Sequence, residues 1–343
     1  MDVFAELEHA GAHRVLLLSD PPSGLLAIIA LDDLTLGPGC GGIRTQTYAN
    51  VSDALADAVK LSRAMTLKCA IANLPAGGAK TVVLDHSGMD RDAAFRRLGR
   101  YIQDLGGRYR CAGDLGTTLQ DLQAVARETV FVNTTGTRLG EATAITVVNG
   151  IRACVEARSG ATLSAISVAV QGCGLIGAGV ARRLAAMGAR VVVADVDRTR
   201  ANTLAAEVGA TVVEAESILY ADVDVLAPCA IGSVITEVVA RDMKAWAICG
   251  GANNQLAHAA IIDALTARGI LFVPDYLASS GAVIDGVSRD LGNVDPTPLL
   301  EATFLTATEI LQRAKAEARS TTDIAEALAR GRIKAASKRG GSA

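Results

Sequence analysis

The sequence predicts an α/β protein with two domains. Its 343 residues are enough for two domains. Half of the residues are hydrophobic and only 3% are aromatic, which is typical of helices packed on a parallel sheet. Between residues 166 and 273, short apolar segments alternate with helical segments, as in a series of βαβ units. This alternation predicts a doubly wound parallel sheet of the Rossmann type in the second half of the chain.

The first part of the chain predicts a separate, smaller α/β unit. Turn-forming residues at 20–24 separate two apolar runs, which indicates a pair of adjacent strands. A glycine-rich loop is expected at 36–44, followed by a helix capped by Ser52. The expected strands lie at 13–18, 25–31, 81–84 and 109–112, and the expected helices at 1–10, 52–67, 91–105 and 119–128.

The domain boundary is expected where the composition changes to threonine, glycine and small residues, at 134–144. Two long helices, at 296–315 and 322–337, follow the βαβ series, and the last could return to the first domain. The predicted domains are therefore 1–140 with 318–343, and 141–317. The second contains predicted strands at 166–170, 190–194, 211–213, 223–227, 245–249 and 270–273, and helices at 145–157, 176–187 and 198–208.

Composition argues against several classes of protein and site. The net charge is −3 without long runs of one sign, which argues against a nucleic-acid-binding surface. The basic residues at 334–339 are interpreted as a frayed tail. The seven scattered cysteines form no CxxC pair, and no histidine lies near one at metal-ligand spacing, so no metal site is expected. Without a signal-peptide pattern or a membrane-length apolar stretch, a cytoplasmic location is expected.

Two lysines, Lys68 and Lys80, lie in the mostly apolar stretch LSRAMTLKCAIANLPAGGAKTVV. A desolvated lysine loses part of its preference for the charged form, so it can relay protons near neutral pH. The small residues at 75–79 predict a flexible loop that places Lys80 at the entrance of a buried strand. The alternative interpretation is a pair of surface lysines around a helix–strand turn.

The segment QGCGLIG predicts a dinucleotide site because it follows a buried strand and opens a helix. The three glycines of this GxGxxG pattern are Gly172, Gly174 and Gly177, and the residues between them are Cys173, Leu175 and Ile176. The next strand ends in Asp195, whose carboxylate could accept both ribose hydroxyls and repel a 2′-phosphate. NAD is therefore favoured, although nearby Arg198 keeps NADP open.

Two further loops follow strands of the same predicted sheet. Cys229 and Ala230 lie in the first, and Asn253 and Asn254 in the second. Since ligands bind at the carboxyl ends of parallel strands, these loops are candidates for the nicotinamide pocket. For the asparagines, the alternative is an ordinary turn with left-handed backbone.

Seven motifs together resemble a known family, the leucine, valine, phenylalanine and tryptophan dehydrogenases, which are relatives of glutamate dehydrogenase. In chain order they are LGPGCGGIR, LSRAMTLKCAIANLPAGGAKTVV, GRYRCAGDLGTT, VQGCGLIGAGV, DVLAPCAIGSVI, CGGANNQL and GILFVPDYLASSGAVID. The resemblance implies NAD-dependent, reversible oxidative deamination of an L-amino acid to a 2-oxo acid and ammonia. It also implies an N-terminal substrate-binding and oligomerisation domain, homo-oligomers, and an active site in the cleft between the two domains.

The resemblance carries roles to matching positions. Lys68 would bind the substrate carboxylate with the backbone of Gly41 and Gly42, Lys80 would be the catalytic lysine, and Asp114 would exchange protons with the amine. Further substrate contacts are implied at Met65 and Asn253. Further cofactor contacts are implied at Thr146, Val196, Cys229, Ala230 and Asn253.

The substrate side chain would meet Cys40, Ala112, Val283 and Gly286, by the same resemblance. Because none is charged, an apolar substrate, branched-chain or aromatic, is expected. Three positions depart from the family pattern. Ala79 is expected to place a Cβ beside the substrate, Gly113 to loosen the Asp114 loop, and Ser279 to replace an asparagine near the cleft. These departures keep two alternatives open: a reductase of a specialised imine or 2-oxo acid, and a non-catalytic NAD-binding homologue.

Overall fold

A computed structural model of the protein describes residues 3–10, 14–134 and 139–340. The described residues form two compact units. The first unit comprises the described residues of Met1–Gly136, Gly286–Val294 and Ala329–Ala343, and the second those of Thr137–Asp285 and Asp295–Leu328. The two-domain α/β fold predicted from the sequence is confirmed. In the described part of the chain, no helix has both the length and the apolar character needed to cross a membrane.

The first unit is built on a five-stranded sheet with the strand order β1-β2-β4-β3-β5. Strands β1 and β2 form an antiparallel hairpin and β2 pairs antiparallel with β4, whereas β3 runs parallel to both β4 and β5. The strands are β1 (Arg14–Asp20), β2 (Leu25–Leu31), β3 (Gly39–Gln46), β4 (Gly77–Leu84) and β5 (Tyr109–Gly113), and the helices α1 (Val3–Ala10), α2 (Val51–Ile71), α3 (Arg91–Asp104) and α4 (Leu119–Ala126).

Side chains alternate between the two faces of this sheet. One face, which includes Ile29, Ala79 and Tyr109, packs on apolar residues of α3 and α4. The other face, which includes Ile28 and Val82, packs on α2. Because Lys80 stands between Ala79 and Thr81 and two residues from Val82, it belongs to the α2 face.

The glycine-rich segment around Cys40 is a strand, so the predicted loop at 36–44 is wrong from Gly39 onward. Strand β4 also begins at Gly77, so Lys80 lies within the sheet and not after a flexible loop. The glycines permit close packing here, since a Cβ on Gly41 would lie 1.7 Å from the Ala79 carbonyl oxygen, and one on Gly78 would lie 2.2 Å from Thr66 Oγ1. The glycine run therefore lets strands and helix approach each other.

Helix α2 is capped by Asn50 and not by Ser52. The Asn50 Oδ1 atom accepts a hydrogen bond from the Asp53 amide at 2.9 Å, which satisfies one free N–H of the first turn. The helix runs to Ile71, beyond the predicted end at residue 67. Its last turn therefore carries Lys68.

The second unit contains a parallel six-stranded sheet with the order β11-β10-β9-β6-β7-β8, as expected for a doubly wound fold. The strands are β6 (Ser167–Gln171), β7 (Arg190–Ala194), β8 (Thr211–Val212), β9 (Val225–Pro228), β10 (Ala247–Ile248) and β11 (Leu271–Phe272). After α4, the chain forms helices α5 (Leu139–Ser159), α6 (Leu175–Ala186), α7 (Arg198–Val208), α8 (Glu237–Asp242), α9 (Ile261–Ala267), α10 (Asp275–Ala278), α11 (Gly281–Asp290), α12 (Thr297–Glu317) and α13 (Thr321–Gly340). Helices α11 and α13 end in the first unit. Helices α8 to α11 are not among the helices predicted from the sequence.

The C-terminal segment is helical, so the predicted frayed tail at 334–339 is wrong. Within the first unit, Arg332 Nη1 donates to the Ala70 carbonyl oxygen at 3.0 Å and also to that of Ile71. A cation at these last carbonyls of α2 stabilises the end of that helix. The chain returns to the first unit at Ala329, and the segment Gly286–Val294 also belongs to that unit. The sequence predicted that the chain returns to the first domain at residue 318. The predicted boundary at 134–144 lies partly outside the described residues.

Candidate active site

Lys80 is almost fully buried in the first unit, with 6% of its surface exposed. Its Nζ donates to Asp114 Oδ2 at 2.7 Å. Burial lowers the pKa of Lys80, and the nearby Arg44 charge lowers it further, although Asp114 acts in the opposite direction. A buried lysine with a lowered pKa can exchange a proton near neutral pH.

Asp114 follows the end of β5 and receives two cations on one oxygen. Arg44 Nε donates to the same Oδ2 atom at 2.9 Å. Burial by itself raises the pKa of the Asp114 carboxyl, but Lys80 and Arg44 outweigh burial and lower it. Asp114 is therefore held as a carboxylate, ready to accept a proton or to stabilise positive charge.

A second acidic residue continues this network behind Arg44. Arg44 Nη1 lies 3.2 Å from Asp57 Oδ2, and the Tyr48 hydroxyl donates to the same oxygen at 2.7 Å. The motifs do not single out Asp57 or Tyr48. Arg44 does have a sequence signal, because it lies two residues after Gly42 and alternation along a strand puts both on one face.

The loop after β5 is firmly held. Thr117 Oγ1 donates to the Ile43 carbonyl oxygen at 2.7 Å, and Arg91 Nη2 donates to that of Gly116 at 2.8 Å. Gly113 is the last residue of β5 and pairs with Ile43. These contacts act against a loosening of the Asp114 loop by Gly113, and the expected effect of this glycine stays a prediction.

Ala79 points away from Lys80. Its side chain is fully buried in the core that faces α3 and α4, because neighbouring strand residues face opposite sides. The expectation that Ala79 places a Cβ beside the substrate is thus wrong. Lys68 and Met65 lie half-buried on α2, three residues apart on one side of the helix that packs on the sheet face of Lys80.

The predicted side-chain pocket is partly polar. Cys40 is buried, Ala112 is half-buried, and the strand register pairs Gly42 with Ala112 and Cys40 with Arg110. The first unit also contains Gly286, whereas Val283 belongs to the second. Asp290 and Arg110 exert electrostatic effects on Cys40, so charged groups lie nearby although none of the four predicted residues is charged.

The glycine turn of the second unit has the geometry of a phosphate-binding turn. Gly172 has a positive φ of 92°, and Gly177 approaches it so closely that a Cβ on Gly177 would lie 1.8 Å from the Gly172 carbonyl oxygen. A Cβ on Gly174 would meet no atom within 4 Å. Since α6 begins just after Gly174 and has no side-chain cap there, its first N–H groups remain available to an anion.

Asp195 is fixed at the end of β7. Its Oδ2 accepts from the Cys173 amide at 2.7 Å, and its Oδ1 from the Asp197 amide at 2.9 Å. Burial raises its pKa, but the two amides and Arg200, 3.6 Å away, outweigh burial and lower it. Arg198, the residue that kept NADP open, pairs with Glu214.

Three large apolar side chains are exposed after the ends of β6, β7 and β9. Leu175 is 85% exposed, Val196 94% and Ile231 69%. Apolar surface at the carboxyl ends of parallel strands fits the flat rings of a dinucleotide. Ile231 directly follows Ala230, and that position is the sequence signal that would have identified it.

The remaining predicted cofactor residues lie inside the second unit. Cys173 and Cys229 are buried. A Cβ on Gly172 would lie 2.7 Å from that of Ala230, so the two loops pack closely on each other. The buried Thr146 hydroxyl lies 2.6 Å from the Ala278 carbonyl oxygen, to which it donates. Its single hydrogen is therefore used by the main chain, while the oxygen keeps acceptor capacity. The predicted contact of Thr146 with the nicotinamide amide stays a prediction.

Asn253 and Ser279 contact each other. Ser279 is 5% exposed, and its Oγ donates to Asn253 Oδ1 at 3.0 Å. Asn253 itself is exposed after β10. The serine found in place of the family's asparagine therefore orients the Asn253 amide.

Comparison with known proteins agrees with these features. Residues 14–130 match the family model for the dimerisation domain of Glu/Leu/Phe/Val dehydrogenases, and residues 193–289 match that for Glutamate/Leucine/Phenylalanine/Valine dehydrogenase. Leucine dehydrogenase of Bacillus cereus is 36% identical, with coverage of 97% of this chain and 94% of that protein.

A solved structure is also similar over its whole length. It is L-tryptophan dehydrogenase from Nostoc punctiforme, with 34% identity, a TM-score of 0.90, and coverage of 98% of this chain and 99% of that one. Phenylalanine dehydrogenase of Lysinibacillus sphaericus is 36% identical over 82% of this chain and 77% of its own length. The resemblance indicated by the motifs is confirmed: the chain belongs to the Glu/Leu/Phe/Val family of amino-acid dehydrogenases.

Proposed function

We propose that this protein catalyses the reversible, NAD-dependent oxidative deamination of an L-amino acid to its 2-oxo acid and ammonia. The observation that carries the proposal is the buried contact of 2.7 Å between Lys80 and Asp114, in a chain of this family. A lysine with a lowered pKa next to an ionised carboxylate provides one proton-exchanging group and one charge-stabilising group.

Each of these residues has a chemical task in the proposed reaction. Lys68, with the backbone of Gly41 and Gly42, would bind the substrate carboxylate. As the amine becomes an iminium, Asp114 would stabilise the positive charge on nitrogen and exchange its protons. Neutral Lys80 would take a proton from the water that attacks the iminium carbon, and its ammonium form would then stabilise the developing carbonyl oxygen.

NAD fits the residues that would hold it in the second unit. Gly172–Gly177 and the start of α6 would bind the pyrophosphate, Asp195 the ribose hydroxyls, and Val196 and Ile231 the apolar rings. The chemistry that bound NAD would supply is that of a hydride acceptor facing the substrate α-carbon. The ionised Asp195 would repel a 2′-phosphate. Arg198, which could attract one, pairs instead with Glu214.

The oligomeric state and location extend the proposal. Within the described residues, no strand pairs with the outer edge of β1, and Leu17 on that strand is 51% exposed. An open edge of this kind needs cover, so we propose a dimer or a multiple of dimers built on the first unit. The cytoplasmic location stays a prediction.

A substrate panel tests the reaction. The purified protein would be given NADH, ammonia and 2-oxo acids with side chains of increasing size, with NADPH as the cofactor control. Ammonia-dependent NADH oxidation on a branched-chain or aromatic 2-oxo acid is the expected result. Intact NADH binding with no turnover on any 2-oxo acid would instead favour a specialised imine substrate or a non-catalytic role.

A further inference from the structure

A carboxylate with unused bonding capacity lies beside the predicted side-chain pocket. Asp290, the last residue of α11, is half-buried, and its Oδ1 accepts a hydrogen bond from Asn133 Nδ2 at 3.1 Å. Across the described ranges, the Asp290 carboxylate accepts no other hydrogen bond and forms no ion pair. A carboxylate offers about four acceptor sites, so most of the acceptor capacity of Asp290 is free for a ligand.

The nearby cation is also incompletely paired. The Arg110 guanidinium carbon lies 5.3 Å from the centre of the Phe131 ring, and Arg110 Nε is buried without a hydrogen-bond partner among the residues that the structure describes. Burial raises the pKa of Asp290, and the Arg110 charge only partly opposes this effect. Asp290 and Arg110 thus influence each other electrostatically, but they do not form a salt bridge. We refer to these two residues as the polar pair.

The position of this pair connects it to substrate recognition. Gly286 lies one helical turn before Asp290, and a Cβ on Gly286 would lie 3.9 Å from Asn133 Nδ2. Arg110 is the register partner of Cys40, and Asp290 contributes to the raised pKa of the Cys40 thiol, after burial itself. Two of the four predicted pocket residues, Cys40 and Gly286, therefore lie beside the polar pair.

We propose that Asp290 is a specificity-determining residue that accepts a hydrogen bond from a neutral donor on an aromatic substrate side chain, an indole N–H or a phenol O–H. This inference rests on the proposed dehydrogenase function and identifies its substrate class. The absence of a side chain at Gly286 and the small side chains of Cys40 and Ala112 leave room for a ring. The Arg110 charge disfavours a cationic side chain. A purely aliphatic side chain would leave the Asp290 carboxylate with Asn133 as its one hydrogen-bond donor among the described residues.

A pair of isosteric substrates tests the inference in the wild-type protein. Tryptophan would be compared with 3-(benzothiophen-3-yl)alanine, in which sulfur replaces the indole N–H while the shape is kept. Because a site built around a hydrogen bond rejects an analogue without the donor, kcat/KM should favour tryptophan by about ten- to a hundredfold. Tyrosine should be favoured over phenylalanine for the same reason.

Variants then identify the acceptor. In Asp290→Leu the preference for tryptophan over its sulfur analogue should fall to near unity, whereas Asp290→Asn, which keeps one acceptor oxygen, should retain part of it. Asp104→Leu is the matched control, because it removes an exposed carboxylate from the same unit. This control should leave the substrate ratio unchanged.

The possible failures are distinguishable. The wild type could turn over phenylalanine or leucine well and yet show equal kcat/KM for tryptophan and its sulfur analogue. That result would overturn the role of Asp290 and leave the proposed dehydrogenase function intact. An unchanged ratio in both Asp290 variants would do the same. Absence of turnover on every amino acid would overturn the proposed function and this inference together. If Asp290→Leu does not fold, the role of Asp290 is tested by the two isosteric substrates on the wild-type protein and on Asp290→Asn.

Discussion

At the scale of single residues, the first unit is organised around charge balance. Lys80 and Arg44 both contact Asp114 Oδ2, and Arg44 also contacts Asp57. Two cations and two carboxylates make the network neutral, which limits the free energy lost by burying Lys80. The same arrangement sets the protonation of the groups proposed to do the chemistry.

The first prediction concerns Lys80. Lys80→Ala should reduce kcat by at least about 10²–10⁴-fold, since it removes the group proposed to exchange protons with water. NADH should still bind, because the glycine turn belongs to the second unit. Steady-state kinetics and NADH fluorescence titration measure the two effects. Lys60→Ala removes an exposed lysine from α2 and is the control; equal losses in both variants would contradict a catalytic Lys80.

The second prediction concerns Arg44. Its charge lowers the pKa of both Lys80 and Asp114, so Arg44→Met should raise both. If the active form needs neutral Lys80 and ionised Asp114, the acidic limb of the kcat/KM profile should move to higher pH. The control is Arg108→Met, which removes an exposed arginine just before β5, the strand that precedes Asp114. This control should leave the pH dependence of kcat/KM unchanged. An acidic limb that does not move in Arg44→Met would exclude Arg44 from setting these pKa values.

At the scale of elements, the glycine turn before α6 separates packing from binding. Gly177 is required by the fold, because a Cβ there would collide with the Gly172 carbonyl oxygen at 1.8 Å. Gly174 faces open space, so the fold itself tolerates a methyl group there. A need for glycine at position 174 would come from the pyrophosphate.

The third prediction follows from this difference. Gly174→Ala should change the free energy of unfolding by less than about 1 kcal/mol but weaken NADH binding about tenfold or more. Gly177→Ala should lower both the free energy of unfolding, by about 1–3 kcal/mol, and the affinity for NADH. Thermal unfolding without cofactor and NADH titration separate the two. Undiminished NADH affinity in a folded Gly174→Ala would argue that this turn does not bind the pyrophosphate.

At the scale of the whole molecule, the open edge of β1 is the feature that points to assembly. The family model matched by residues 14–130 is that of a dimerisation domain. A strand with an unpaired row of N–H and C=O groups invites pairing with another chain. The exposed Leu17 adds apolar area to that surface.

The fourth prediction tests this surface. Light scattering after gel filtration should give a mass that is an even multiple of 35.2 kDa. Leu17→Lys should shift the equilibrium toward smaller species if β1 is at the interface, because a charge would be buried there. Val238→Lys, a similar change at a 48%-exposed site of the second unit, is the control. A wild-type protein that runs as a monomer would refute the proposed assembly.

The sequence by itself determined the family, the parallel sheet of the second unit and the residue types of the site. Glycines, lysines and apolar periodicity are local signals, and the order of the motifs is a property of the chain. The resemblance of its motifs also predicted separate catalytic roles for Lys80 and Asp114.

Only the tertiary structure decided which groups meet. The glycine segment around Cys40 is a strand because β3 packs between β4 and β5, a contact that no local propensity encodes. Because side chains alternate along β4, Ala79 lies in the core that faces α3 and α4, and Lys80 lies on the opposite face of the sheet. In the second unit, the Thr146 hydroxyl donates a hydrogen bond to the Ala278 carbonyl oxygen. Arg44 joined Asp114, and Asp290 came near Cys40, across large sequence separations. These long-range contacts set the pKa values and polarity of the site, which is why they became visible only in three dimensions.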